Sequence, residues 1–280
     1  MNRLKTISSL ALVVVCAASA CAASAQESYY QQIRNHNSAM AALQPSWIAP
    51  LIQTDSRLGQ GIKFSVSNSR APGIHQIIYG NGHGFSTIVA RRFQFDFNPP
   101  SWFRNHSATL KDGFGNAGAQ VKVRIASGNA EHGNYALTAV LTHDFAPRGR
   151  QNGLLTSVYY PKLGAGRAFG RFNVQTMLDG TLPTGKIAAQ GRSIDWNTTA
   201  QFHANPHVWL DLENNATFIH GGPWDGATQN FVTPAAFYVV RRKSWGPAHA
   251  LLIFDAGMQI ATTRFHENNH NLITEMRLGF

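Results

Sequence analysis

Residues 272–280 run Leu-Ile-Thr-Glu-Met-Arg-Leu-Gly-Phe, and their polarity alternates from one residue to the next. Leu272, Thr274, Met276 and Leu278 fall on one parity, and Ile273, Glu275, Arg277 and Gly279 on the other. A period of two is the signature of an extended strand with one apolar and one polar face. The pattern returns along the chain. Phe93, Phe95 and Phe97 oppose Arg92, Gln94 and Asp96, and Val121, Val123 and Ile125 oppose Gln120, Lys122 and Arg124. Phe172, Val174 and Leu178 oppose Arg171, Asn173 and Gln175, while Leu210 and Leu212 oppose Asp211 and Glu213. No segment approaches the roughly 20 apolar residues of a spanning helix. The 44% of hydrophobic residues is instead dispersed in alternation, with only 14% charged.

Strands of this kind satisfy their backbone in a bilayer only if the sheet closes on itself. The expected fold class is therefore all-β: a transmembrane antiparallel up-and-down β-barrel of about 12 strands. The strands are expected at 62–67, 74–79, 87–97, 117–125, 135–145, 154–160, 169–178, 194–203, 208–212, 231–240, 248–260 and 272–280. The connections between them fall into two sets. One set (68–73, 98–116, 146–153, 182–193, 219–229, 262–269) is longer on average than the other (81–84, 127–133, 162–167, 204–206, 241–246). Outer-membrane barrels show this asymmetry and soluble sandwiches do not. The competing fold is a soluble periplasmic sheet with an edge strand at its end.

The start of the chain carries a basic stretch, Asn2-Arg3-Leu4-Lys5, an apolar run from Leu10 to Val15, and Ala23-Ser24-Ala25. This pattern predicts a signal peptide over 1–25. Both cysteines, Cys16 and Cys21, would leave with it, so no disulfide, cofactor or metal is expected. Residues 26–57 are rich in Gln, Asn, Ser and Ala, and read as a periplasmic lead-in or a plug; the barrel follows over 58–280. The formal charge is +10, but the basic residues are scattered, so no nucleic-acid partner is expected. The expected partners are outer-membrane lipids and lipopolysaccharide.

A final strand ending on Phe280 resembles the C-terminal insertion signal of bacterial outer-membrane proteins, which implies recognition by their assembly machinery and a bacterial outer-membrane location. The stretch Asp112-Gly113-Phe114-Gly115-Asn116 leading into Ala117–Ile125 resembles the start of a strand in the outer-membrane family named for phenol degradation (meta-pathway) or as transporter-like. Leu182-Pro183-Thr184-Gly185 resembles its Pro-Thr-Gly loop. The family is similar to long-chain fatty-acid transporter barrels. The resemblance implies passage of small solutes, hydrophobic or aromatic ones included. Gly113 and Gly115 are expected to take positive φ.

The candidate lumen-lining residues are Arg92, Gln94, Asp96, Gln120, Lys122, Arg124, Arg171, Asn173, Gln175, Asp195, Asp211 and Glu213. They predict either a lumen locked by ion pairs or a narrow channel whose basic residues favour anions. No catalytic residue is assigned. His266 and His270 lie in an Asn-rich stretch, and no Ser and His stand two apart on one strand face, so an enzyme is not expected. A structural or adhesive barrel with a closed lumen is the alternative function, and a lipid-modifying enzyme a remoter one.

Overall fold

A computed structural model describes residues 31–32, 35–71, 73–82, 84–106, 110–146, 152, 154–241 and 251–279. The expected signal peptide over 1–25, residues 242–250 and Phe280 lie outside the described residues. The strands are β1 (Gly61–Ala71), β2 (Ile74–Tyr79), β3 (Gly84–Ala90), β4 (Phe93–Asn98), β5 (Trp102–Asn105), β6 (Gly113–Phe114), β7 (Ala117–Gly128) and β8 (Tyr135–Phe145). They continue with β9 (Val158–Phe169), β10 (Phe172–Pro183), β11 (Arg192–Asn205), β12 (Val208–His220), β13 (Thr228–Arg241), β14 (Leu251–Ala261) and β15 (His270–Gly279). All pair antiparallel in one sheet. The sheet closes where β15 meets β1, in register from Gly61 opposite Gly279 to Arg70 opposite His270. No edge remains along this seam to be satisfied by water.

Closure gives a barrel of twelve wall strands, because three of them are interrupted. β3 pairs with one end of β1 and β2 with the other, so β2 and β3 are one wall strand broken at 80–83. β5 continues β4 across Pro99–Ser101, and β6 continues β7 across Gly115–Asn116. The three breaks adjoin and are stitched together. Gly80 N donates to Ser65 O at 2.6 Å, Ser101 Oγ to Gly80 O at 2.9 Å, and Gly115 N to Ser101 O at 2.8 Å.

Two expected strand assignments change. The run 87–97 is a hairpin that reverses at Arg91-Arg92. A two-residue turn alone would place Ile88 opposite Phe95. A bulge between Ile88 and Ala90 instead sets Ile88 opposite Gln94 and Thr87 opposite Phe95, so the alternation runs unbroken through the reversal. The break at 80–83 that resembled a turn lies within a wall strand. Likewise, the turn expected at 162–167 falls inside β9, which reverses at Gly170-Arg171. Gly164 and Gly166, which read as turn residues, face inward there. A Cβ on Gly164 would lie 2.9 Å from Met177 Sδ, and one on Gly166 would lie 2.8 Å from Ser56 Oγ and 2.9 Å from Trp47 Cη2.

Gly113 and Gly115 do not take positive φ. Gly115 is needed for space, since a Cβ there would come within 2.5 Å of the Phe103 ring. Leu182–Gly185 ends β10, where Thr184 N and Oγ1 both donate to Ser157 O.

The two faces invert the usual arrangement of a water-soluble protein. Phe93, Phe95, Val121, Phe172, Val174, Leu210 and Leu212 all lie exposed on the outer face. Asn173, Gln175, Thr199, Gln201 and Glu213 are fully buried on the inner one. A continuous apolar exterior of this extent is a surface for hydrocarbon. No described helix is long and apolar enough to cross a membrane.

Candidate functional site in the barrel lumen

Residues 44–58 form a closed loop inserted between the inner faces of the wall. Its neck is fastened by Gln44, whose Nε2 donates to Leu58 O (2.6 Å) and whose Oε1 accepts from Leu58 N (3.0 Å). Next along, Arg57 Nη1 donates to Pro45 O at 3.2 Å, and Trp47 Nε1 to Asp55 Oδ1 at 3.2 Å. Asp55 and Arg57 form an ion pair at 2.8 Å. Burial pushes the Asp55 carboxyl up, but Arg57 and Lys122 beside it outweigh burial and hold it below the usual carboxylate range. The preceding helix over 35–41 lies against the short-turn end of the wall, with Met40 and Leu43 packed on Leu58 and Ile88.

The wall is shaped to this loop. Glu213 on β12 accepts three successive backbone N–H groups, Leu51 (2.6 Å) and Ile52 (2.8 Å) on Oε1 and Gln53 (2.7 Å) on Oε2. On the carbonyl side, Arg277 on β15 donates to Ala49 O (2.6 Å) and Pro50 O (2.9 Å), and is itself held by Asp255 (2.9 Å) and Glu275. Lys122 Nζ donates to Asp55 O (2.8 Å) and Arg57 O (2.9 Å). Gln175 accepts from Ser56 Oγ (3.1 Å), and Gln94 accepts from Gly59 N (2.6 Å). Trp47, Ile48 and Leu51 pack on inward-facing Trp209, Phe237, Val239 and Ile253, an apolar core inside the barrel. A Cβ on Gly257 would lie 2.5 Å from Leu51 Cδ2, so this glycine also makes room for the loop.

Above the loop tip, toward the long-loop end, lies a cavity of about 480 Å³. Residues 49–55 form its floor, and its walls include Asp96, Gln120, Thr142, Asp144, Tyr160 and Lys162. A hydrogen-bonded chain crosses this wall. Thr142 Oγ1 donates to Gln120 Oε1 (2.8 Å), Gln120 Nε2 donates to Asp96 Oδ2, and Gln94 Nε2 donates to Asp96 Oδ1 (2.6 Å). Each interrupted strand also borders the cavity, through Gly80–Gly82, Asn98–Ser101 and Asn116–Gly118.

Most candidate residues meet in this interior. Gln94, Asp96, Lys122, Arg124, Asn173, Gln175, Asp211 and Glu213 are buried there, with Gln120 and Asp195 half-buried. Arg92 and Arg171 are different. They are exposed in the two-residue turns at the short-turn end, because the hairpins reverse where an uninterrupted strand was expected. Lys63, Asp255 and Arg277 were not among the candidates, although the parity of their strands would have placed them inward.

The inner face is acidic. Asp96 and Asp144 come from β4 and β8, Asp179 and Asp195 from β10 and β11, Asp211 and Glu213 from β12, and Asp255 and Glu275 from β14 and β15. Against them stand Lys63, Lys122, Arg124, Lys162 and Arg277. On the first half of the wall basic groups still outnumber acidic ones, as expected from the sequence, and the acidic excess comes from the second half.

The histidines are held in local contacts. His266 bonds Thr263 O at 2.8 Å and Asn269 Oδ1 at 2.7 Å, and His203 stacks on Trp209 with centroids 4.2 Å apart. His143 stacks on Tyr159 at 4.2 Å, while nearby Ser157 Oγ accepts from Ala146 N at 3.1 Å. Among the described residues no group of three His, Cys, Asp or Glu converges as metal ligands.

No family model matches the chain, and no curated protein does. Among solved structures, the chain is similar to OmpT (in-vitro folded), an outer membrane protein of Vibrio cholerae in its trimer form, at 6% identity and a TM-score of 0.32, over 79% of this chain and 98% of that one.

Proposed function

We propose that the protein is an outer-membrane barrel for passive passage of small solutes, gated by the loop 44–58. The observation that carries this reading is the pairing of a cavity of about 480 Å³ on the long-loop side with a single loop, residues 44–58, beneath it. The loop belongs to no strand, closes on its own neck through Gln44 and Leu58, and can leave the lumen as a unit without breaking the wall ladder. The resemblance of 112–125 and 182–185 to transporter-like barrels supports the same reading. The charged and amide side chains in the cavity lining favour hydrophilic solutes over the hydrophobic ones that the resemblance implies.

A closed structural barrel is the second reading, and the dense anchoring of the loop by Glu213, Arg277 and Lys122 favours it. One experiment separates them. Both native cysteines, at 16 and 21, precede the loop, and the expected signal cleavage removes them. A Cβ on Gly166 would stand 2.8 Å from Ser56 Oγ, close to the reach of a disulfide. In planar bilayers, full-length Ser56→Cys/Gly166→Cys protein should be silent when oxidised and conduct when reduced. Silence in both states and in the wild type supports the closed barrel. Equal current in both states means that solutes bypass the loop.

A further inference from the structure

Charge in this protein is sorted by the fold against its own composition. The chain has 24 Lys and Arg against 14 Asp and Glu. Yet eight of those acidic residues face the lumen, and no acidic residue on a described strand faces outward. Among strand residues whose side chains are described, five basic ones face inward, while Arg70, Arg104, Arg167 and Arg192 lie exposed on the outer face near strand ends. An inner surface drawn at random from this composition would be basic.

The inward cations do not neutralise the inward acids. Arg277 serves Asp255 and Glu275, and Lys162 serves Asp179 at 3.5 Å. Lys122 and Arg124 are turned instead to backbone carbonyls. Asp96 is held by the amides of Gln94 and Gln120, with Lys122 near it but not in an ion pair, and Asp195 by the hydroxyls of Thr181 and Ser193. Asp144 lines the cavity with neither a hydrogen bond nor an ion pair among the described residues. Deeper, beside the loop seat, Asp211 is only 5% exposed and lies against the Glu213 carboxyl and the Leu51 N–H, with no ion pair of its own among the described residues. A carboxylate buried without a counter-ion takes up a proton rather than stay charged, so the negative field belongs to the carboxylates that water reaches: Asp96 and Asp144 at the cavity, and Asp211, Glu213 and Asp255 once the loop leaves.

We propose that the passage selects small cationic solutes, protonated amines included. This rests on the gated-passage reading and adds the class of solute. A cation entering the cavity meets Asp96 and Asp144 beside the Phe103 ring, a carboxylate-and-aromatic surface suited to an ammonium group, while Lys63, Lys122, Lys162 and Arg277 share the lining and Lys162 Nζ lies over the Tyr160 ring at 5.8 Å. Once the loop withdraws, Asp211, Glu213 and Asp255 continue the acidic track toward the short-turn end. The absence of a three-ligand cluster among the described residues sets the class as hydrated monovalent or organic cations rather than a stripped divalent ion.

The test is the reversal potential of full-length protein in a potassium chloride gradient, repeated with ethylammonium chloride. Potassium should be preferred over chloride by roughly tenfold, and ethylammonium should carry current. Asp144→Asn should cut the preference several-fold, and Asp144→Lys should abolish it. Among the described residues Asp144 has no hydrogen bond or ion pair to lose, so both variants are expected to fold, which heat-modifiable migration checks. Wild-type current that is unselective or anion-selective, or a preference unchanged in Asp144→Lys, overturns this inference alone. Potassium current without ethylammonium current confines the class to inorganic cations and overturns the amine assignment. No current from any form overturns the passage reading and this inference with it.

Discussion

Glu213 is the residue on which the interior turns. A carboxylate that accepts three successive amide N–H groups takes the place of a strand partner for a segment that has none. Each such charge-assisted bond contributes about 1.5–3 kcal/mol. Glu213→Gln keeps the size of the side chain but turns a donor toward one of these amides. Hydrogen-exchange protection at Leu51–Gln53 should then drop by at least about 2 kcal/mol, with the wall strands unaffected. Unchanged protection would remove Glu213 from the loop's anchoring. Asp55 supplies a second residue-scale test. Its folded-state pKa lies below the unfolded value of 3.8, so its contribution is fully present above that pH and is lost as pH falls through the lower folded value. Loop protection factors should therefore hold from neutral pH to about 4 and decline only in stronger acid, and Asp55→Asn should remove that decline. A loop that loosens near pH 6 would point to a different titrating group.

At the scale of elements, parity was legible and reversal was not. Phe93, Phe95, Val121 and Val174 face outward as their alternation requires. A single arginine at Val121 should cost about 2–4 kcal/mol in a bilayer, measured by reversible unfolding in lipid vesicles. A cost near zero would mean that this face does not contact hydrocarbon. The hairpin at Arg91-Arg92 escaped detection because its bulge preserves parity, leaving nothing in the order of residues to mark the reversal. Gly164 and Gly166 misled in the opposite sense. Glycine suggests a turn because of its backbone freedom, but here it clears volume for Met177, Ser56 and Trp47, which lie far away in sequence. Inward polar positions such as Gln175 also take on a different weight. In an open lumen a substitution there would be mild. Against Ser56 and the loop it is a change in a packed core.

For the whole molecule, closure of β15 on β1 and insertion of residues 44–58 are separate events with separate causes. Closure follows from strands that must pair on both edges in a medium without water. The loop's position follows from complementary groups spread over β4, β7, β10, β12 and β15, none of which adjoins it in sequence. The charge sorting belongs to this scale too. A count of +10 describes the chain, whereas the sign of the field that a solute meets depends on which side of each strand a charge occupies and where each hairpin turns.

The sequence by itself determined the class of fold, the twelve-strand scale and the polarity of the two faces, because period-two alternation is local and each strand displays it alone. It placed Asp96, Lys122, Gln175 and Glu213 in one interior for the same reason. Only the tertiary structure decided what those residues hold. The grip of Glu213 and Arg277 on residues 49–53 and the glycine hollows for Trp47 and Leu51 arise from groups more than 100 residues apart, and short-range patterning carries no information about such pairs.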